Sequence, residues 1–549
     1  MSAGLSVLFL PTNGFLIKPC STGTDMPRVL GLASALLYLL SAMLAVWVAY
    51  DRPAAQTKFV LMASAPLCVL ALNWLCRGKK EVVPKVIGSM SACMVVTLGL
   101  SFILFGSPPS GPTSNVLVIL LPLSLAAAPT TVMQFQALPG LAAVGCWITG
   151  LTALVLTIER SAWLAFFASL LGTGLICWLS HNKGLRRLSH AVLACVLLGL
   201  CACSAFLLLA SREFLQLSLP APLFQRLPLW HDAMDLIGDY PFTGIGLSVT
   251  GMVFSTYVFL LHVPYQSQAH NLFLQIALEQ GVLGLVAFLG MSVACGWSLL
   301  VAFREKGASL ELGAITASFV ALLVYGIFDS EGYVSPLIPV LFLPFVCVWF
   351  FPSARTPECP KSRTVSTAIR YGLTVSAVIL MFLLWGHGRW AVLEAQLLAN
   401  VGTASQTRAE LSVYRWPDFG VQDEVRRNGL ADLSRAVKAY QATLQLDPGN
   451  VTANRRLAQI ELSLGSYESA RKHLEKAYLA APDQRATRQL LGEAFAVSGN
   501  LEQAARFWRN VDIRHGQLDL RRWWYEHIGA QQELECMSQA MALLKTQTK

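Results

Sequence analysis

His270 opens a helix-patterned stretch in which Asn271, Gln275 and Glu279 follow, the last two at spacings of four, so these three share one helical face. An imidazole titrates near neutral pH and can take a proton from an attacking hydroxyl. Arg226 stands four residues before Trp230 in QRLPLWHDAM. A guanidinium there could grip phosphate through two parallel hydrogen bonds. Arg160, in TIERSAW, sits at the end of an apolar run, where a basic group needs a reason. Each has a plainer alternative. His270 could cap a helix or bond a loop, Arg226 could snorkel or stack on Trp230, and Arg160 could pair with Glu159. Asn271, Gln275 and Glu279 could orient a sugar or the imidazole, or simply face a wet vestibule. The turn Pro241–Gly246, PFTGIG, could bring backbone N–H groups to a pyrophosphate, or merely steer the chain back toward the membrane.

The elements that must position these groups are membrane helices. The chain has 549 residues, 54% hydrophobic and 13% charged, against about a quarter charged in soluble domains. Residues 1–389 therefore read as a polytopic membrane unit and residues beyond 390 as soluble. Eleven stretches reach the ~20 apolar residues a span needs: 28–49, 58–76, 84–106, 115–133, 138–158, 162–180, 190–210, 272–303, 310–328, 336–352 and 371–388. Lysines and arginines gather in alternate loops, which puts the N-terminus in the cytoplasm. The 211–271 loop, with the candidate residues, and the C-terminal part then lie outside it. Arg52 and Lys58 blur that pattern. Residues 1–27 lack a basic start and are not read as a cleaved signal peptide. Most of the thirteen cysteines sit in apolar runs as small hydrophobes, with no disulfide framework or zinc spacing. The net charge of +9 reports topology rather than nucleic-acid binding. Asp329, Glu331 and Tyr333 lie in a loop on the same expected side and could also border the cavity, but carry little weight from sequence alone.

The soluble part repeats itself. Pro448 and Pro482, Gly465 and Gly499, and Ala470 and Ala504 are each 34 residues apart, and Leu457/Leu491 and Leu474/Trp508 fall at matching places. This period resembles tetratricopeptide repeats, helix–turn–helix units that stack into a solenoid and commonly bind partners. Ala436, Tyr440 and Pro448 suggest an earlier, degenerate copy. The expected order is a membrane unit at 1–389, a linker at 390–431 and a helical repeat domain at 432–549, all α throughout.

No Walker loop, dinucleotide fingerprint, HExxH, nucleophile elbow or Asp-x-Asp is present. Instead, R-x-x-x-W-x-x-A at Arg226–Ala233, DYPFTGIG at Asp239–Gly246 and HNLFLQIALEQG at His270–Gly281 resemble the O-antigen ligase and polymerase superfamily of bacterial envelope glycosyltransferases. ERSAW at Glu159–Trp163 resembles the family's arginine-bearing span junction, with Glu159 where serine is usual. The resemblance covers about residues 155–345.

It implies a glycan donor on undecaprenyl diphosphate and transfer at the periplasmic face of the inner membrane, inverting and without metal or other cofactor. By motif position, Arg160 and Arg226 would hold the diphosphate and His270 would activate the acceptor. A ligase would use lipid A–core as acceptor, a polymerase another lipid-linked glycan, and a protein O-oligosaccharyltransferase a serine or threonine. The repeats would add a protein partner. Two rivals come from other classes: a transporter of lipid-linked glycans, which needs cations but no base, and a scaffold in which the repeats do the work.

Overall fold

The computed structural model describes residues 26–75, 82–105, 111–125, 138–157, 159–178, 221–307, 309–350, 390–509, 511 and 516–547. No strand occurs among them, and the chain is all α as expected. Six helices stand at the first six expected spans: α1 (Met26–Val48), α2 (Arg52–Leu75), α3 (Val82–Phe105), α4 (Gly111–Ser124), α5 (Leu138–Thr157) and α6 (Arg160–Trp178). After α7 (Ala221–Asp239) come α8 (Leu272–Lys306) and α9 (Leu310–Phe328). The expected span at 336–352 is broken into Ile338–Leu341 and Leu343–Phe350. The spans expected at 190–210 and 371–388 lie outside the described residues, as do residues 1–25. Among the described residues, stretches of α1, α8 and α9 (Pro27–Val48, Leu272–Glu305 and Leu310–Phe328) are long and apolar enough to cross a membrane.

Small residues let the long helices approach. On α8, a Cβ at Gly290 would come within 2.4 Å of Ser34 Oγ, and one at Gly284 within 3.2 Å of Ser41 Oγ, both on α1. Lipid supplies little drive for helix association, so such close backbone contact carries the packing. Helix α9 runs through the centre, with Leu312, Ile315, Ala321, Leu322 and Tyr325 buried.

Helix α8 is not continuous. Gly281 has φ +71° and interrupts it one turn after the candidate polar face. The DYPFTGIG turn closes that gap. Ile245 N–H donates to the Leu278 carbonyl at 2.8 Å, Gly246 N–H to Glu279 at 3.3 Å, and Val282 N–H to Pro241 at 2.8 Å. Breaking a helix in an apolar setting frees backbone groups that must find partners, and this turn supplies them. A Cβ at Gly281 would sit 2.8 Å from the backbone of Phe242, so the glycine is required by both space and φ.

The stretch 390–431, expected as a linker, holds helix α10 (Trp390–Val413) and the short helix Gln422–Arg427. The repeats follow as α11 (Ser434–Leu446), α12 (Val451–Ser463), α13 (Tyr467–Ala480), α14 (Arg485–Val497) and α15 (Leu501–Arg509), then α16 (Gln517–His527) and α17 (Gln531–Gln547). Ala470, Ala504, Leu474 and Trp508 are buried as the 34-residue period requires. Gly465 and Gly499 end the first helix of each unit at φ +82° and +81°. The degenerate copy pairs α11 with α10: Tyr440 lies against Gly402, where a Cβ would meet its ring at 2.5 Å.

The repeats are welded to the membrane unit by buried charge. Asp239, at the end of α7, is 1% exposed and pairs with both Arg455 and Arg456 of α12. Thr452 Oγ1 also donates to it at 2.8 Å. Burial alone would push its carboxyl up, but the two guanidiniums outweigh burial and hold it below the usual range. Arg426 holds Glu410 through two bonds of 2.8 and 2.9 Å, and Tyr257 of the membrane unit donates to the same carboxylate at 2.8 Å.

Candidate active site

Arg226 and His270 meet at Asp329. Arg226 donates through Nη1 to the Phe328 carbonyl, and its Nη2 stands 4.0 Å from Asp329 Oδ2. His270 Nδ1 is 3.8 Å from the same oxygen. That nitrogen is buried and makes no hydrogen bond, whereas the imidazole as a whole is 32% exposed. Asp329 itself is fixed by its other oxygen, which accepts from Ser330 N–H at 2.6 Å and Glu331 N–H at 2.9 Å. It caps the end of α9, its N–H bonding to the Tyr325 carbonyl. A carboxylate shared between a cation and an imidazole can fix which ring nitrogen carries the proton.

His270 is held in an unusual backbone state, φ +49°, just before the first turn of α8. A bulky residue stays there only when its surroundings over-determine it. The neighbours do so. Gln275 Oε1 accepts from Ala269 N–H at 2.9 Å. Asn271 caps α8 by accepting from Leu274 N–H at 3.0 Å and ties its amide to the Ile327 carbonyl at 2.9 Å. Gln275 in turn donates to Glu279 at 2.8 Å. Gln275 and Glu279 are fully buried, so their reach is to the scaffold around His270 and not to a bound sugar.

Glu279 is anchored by Lys58, an α2 residue that sequence reading treated only as a topological irregularity. Its Nζ lies 2.9 and 2.7 Å from the two carboxylate oxygens and 4.0 Å from the centre of the Tyr333 ring. Thr250 Oγ1 and Ser248 N–H complete the carboxylate's shell at 3.3 and 3.2 Å. An ionic pair this deep in a helical bundle persists only when both charges are matched.

Arg160 is the first residue of α6 and is exposed. Helix α6 packs along α9 with Thr173 facing Gly313 and Glu159 facing Tyr325, an antiparallel pairing that sets Arg160 at the end of the bundle where Asp329 lies. The preceding Glu159 accepts from Tyr325 Oη at 3.2 Å, one turn before Asp329. The PFTGIG turn takes no part as an anion cradle. The N–H groups of Phe242 and Thr243 go to Asn400 Oδ1 at 2.9 and 3.2 Å, and those of Gly244, Ile245 and Gly246 to backbone carbonyls.

Residues 145–289 match the O-antigen ligase family. The segment includes Arg160, Arg226 and His270; Lys58 and Asp329 fall outside it. Such a domain implies an enzyme of the glycosyltransferase type. Residues 430–494 match a tetratricopeptide repeat family. The human tetratricopeptide repeat protein 34 (Homo sapiens) is 36% identical over 113 residues, 21% of this chain and 19% of that protein. The chain thus spans about a fifth of that relative's length.

Two further carboxylates, Glu159 and Glu331, lie near enough to Asp329 for its charge to act on them. Burial and the neighbouring Asp329 charge raise the Glu331 carboxyl, against a smaller lowering from His270. Burial, reinforced by Asp329 and Glu331, lifts Glu159 to about 7 from an ordinary 4.5. A raised carboxyl stabilises the fold below its unfolded value, and that contribution is lost as pH climbs through the folded value. The window runs from about 4.5 to about 7. Glu159→Gln imitates the protonated form. Its thermal midpoint should therefore rise relative to the unmodified chain as pH goes from about 5 to about 8, by an amount reduced by the side chain's partial exposure. Parallel pH profiles for the two would contradict this.

Two residues of the site were poorly marked in the sequence. Asp329 lies 59 residues from His270, in a loop that the sequence offered only as a weak candidate border of the cavity. Lys58 lies 221 residues from its partner. The available signal was a lysine on the expected outer side, where lysines are disfavoured.

Proposed function

We propose that the chain transfers a glycan from an undecaprenyl-diphosphate donor to an acceptor hydroxyl at the periplasmic face of a bacterial inner membrane. The acceptor oxygen attacks the anomeric carbon. The bond from that carbon to the diphosphate breaks, its electron pair leaving on the phosphate oxygen. The hydroxyl proton passes to His270 Nε2, and the anomeric configuration inverts. Arg226 and Arg160 bind the diphosphate and stabilise the charge that builds on it, which replaces the need for a metal ion.

The observation that carries this reading is the position of Asp329 between Arg226 and His270. A bound diphosphate competes for Arg226. The freed carboxylate then turns fully to His270 Nδ1, holding the proton there and leaving Nε2 as the base. Separations of 4.0 and 3.8 Å leave the carboxylate room to close on either partner. A transporter of the same donor would use the arginines but has no role for an imidazole backed by a carboxylate.

Three acceptors follow from the same chemistry: lipid A–core, a second lipid-linked glycan, and a serine or threonine of a protein. The repeats, commonly protein-binding surfaces, favour the last or a protein partner for one of the others. The test is reconstitution of the full-length chain in vesicles with a lipid-linked oligosaccharide and all three acceptors in competition. Glycosylated acceptor with release of undecaprenyl diphosphate supports transfer. Donor crossing the bilayer with no product rejects it in favour of transport.

A further inference from the structure

Arg52, Arg408 and Arg435 come from three separate elements and gather where α1 ends and α2 begins. Arg52 is the first residue of α2. Helix α11 lies antiparallel to α10: Tyr440 Oη bonds Gln406 at 2.7 Å and Thr443 Oγ1 bonds the Ala395 carbonyl at 3.4 Å. That register sets Arg435, in the first turn of α11, beside Arg408 on α10. Helix α1 touches α10, and Arg415, two residues past the end of α10, lies close enough to Tyr50 in the α1–α2 corner to act on its hydroxyl, which brings Arg52 to the same place. Burial, and then the like charges of Arg52 and Arg435, hold the Arg408 guanidinium below its ordinary value.

Arg52 and Arg435 are exposed and Arg408 is half-exposed. Among the described residues, no carboxylate pairs with any of the three. Like charges held this close repel unless an anion sits among them.

The surroundings say where that anion comes from. Trp47 on α1 is 55% exposed and Val60 on α2 is 64% exposed, a side-chain pattern suited to hydrocarbon. Arg415 lies close enough to Tyr50 to act on its hydroxyl, and the adjoining Trp416 is 59% exposed. Tryptophan and tyrosine at one level with arginines is the composition of a membrane–water interface. A soluble phosphate would need no such apolar border.

We propose that Arg52, Arg408 and Arg435 form a site for the phosphate of an anionic phospholipid headgroup, which seats the repeat domain on the membrane surface. The proposal does not depend on the reaction assigned above.

The test uses the full-length chain in neutral detergent, offered equal amounts of phosphatidylglycerol and phosphatidylcholine, with bound lipid counted by native mass spectrometry. Phosphatidylglycerol should be retained selectively. Each arginine changed to glutamine in the series Arg52→Gln, Arg408→Gln, Arg435→Gln should weaken that retention about fivefold. The thermal midpoint should hold, because none of these side chains has a hydrogen-bond or ion-pair partner among the described residues. Lys476→Gln, which removes an exposed charge from α13, an element that contributes nothing to the cluster, should leave retention unchanged. Equal retention of the two lipids, no loss in the triple variant, or an equal loss in Lys476→Gln each overturns the site. Displacement of the lipid by millimolar inorganic phosphate overturns the membrane source and identifies a free-phosphate site.

Discussion

Replacing His270 with alanine is expected to lower glycan transfer by about 10²–10⁴-fold, the usual contribution of a positioned general base. Donor binding should be nearly unchanged, because the diphosphate is assigned to Arg160 and Arg226. The two effects separate cleanly in a single-turnover assay read beside equilibrium binding of the lipid-linked donor. His270 is a third exposed and its side chain makes no hydrogen bond, so its loss should cost the fold little. The φ of +49° at this position becomes a stability term shared by both variants and not a source of the difference. Full transfer by the alanine variant in a purified system would remove the base from the mechanism and leave transport as the better reading. The converse pair, Arg160 and Arg226 both changed to glutamine, should lose donor affinity first.

The all-α architecture and the repeats were readable because each depends on local pattern. Apolar runs of span length have few other homes, and a 34-residue period with alanines and glycines in register leaves little choice of fold. The polar face of α8 was readable too, but only as a face. That Gln275 and Glu279 act inward, on the scaffold of His270, depends on Lys58 and on the carbonyl and amide groups of a distant turn. Periodicity within one helix cannot report such partners. The PFTGIG turn shows the same limit from the other side. Its glycines suggest close backbone approach, and the approach is real, but it is made to the broken helix α8 and to Ala49 rather than to a ligand. Arg455 and Arg456 look like ordinary surface charges of a repeat helix, yet Arg456 is wholly buried against Asp239 and the Tyr257 ring. The joint between the two units was invisible because each half of it lies in a different unit. It also makes removal of 432–549 a poor test of a scaffold role, since that deletion would strip Asp239 of both its counter-ions.

The largest effect on stability is expected at the pair Lys58–Glu279. Removing one member of a buried ion pair costs about 3–5 kcal/mol, because the other charge is left without solvent or partner. Lys58→Met should therefore destabilise the detergent-solubilised chain strongly, and Glu279→Ala at least as much. The glutamate change does more, since Gln275, Thr250 and Ser248 all donate to that carboxylate. The double variant Lys58→Met with Glu279→Gln removes both charges but keeps a side-chain oxygen for those donors. It should recover most of the lost thermal midpoint. Transfer activity divides the variants differently. Lys58→Met leaves Gln275 bonded to Glu279 and Ala269, so activity per folded molecule should change little. Glu279→Ala leaves Gln275 held by Thr250 and Ala269 alone, loosens the segment before His270 and should depress turnover more than donor affinity, because an imidazole displaced by even ~1 Å loses its line to the acceptor hydroxyl. Equal midpoints for the unmodified chain and both single variants would mean the pair is not buried as a matched charge. Equal turnover in Glu279→Ala would cut the link from Glu279 through Gln275 to the base.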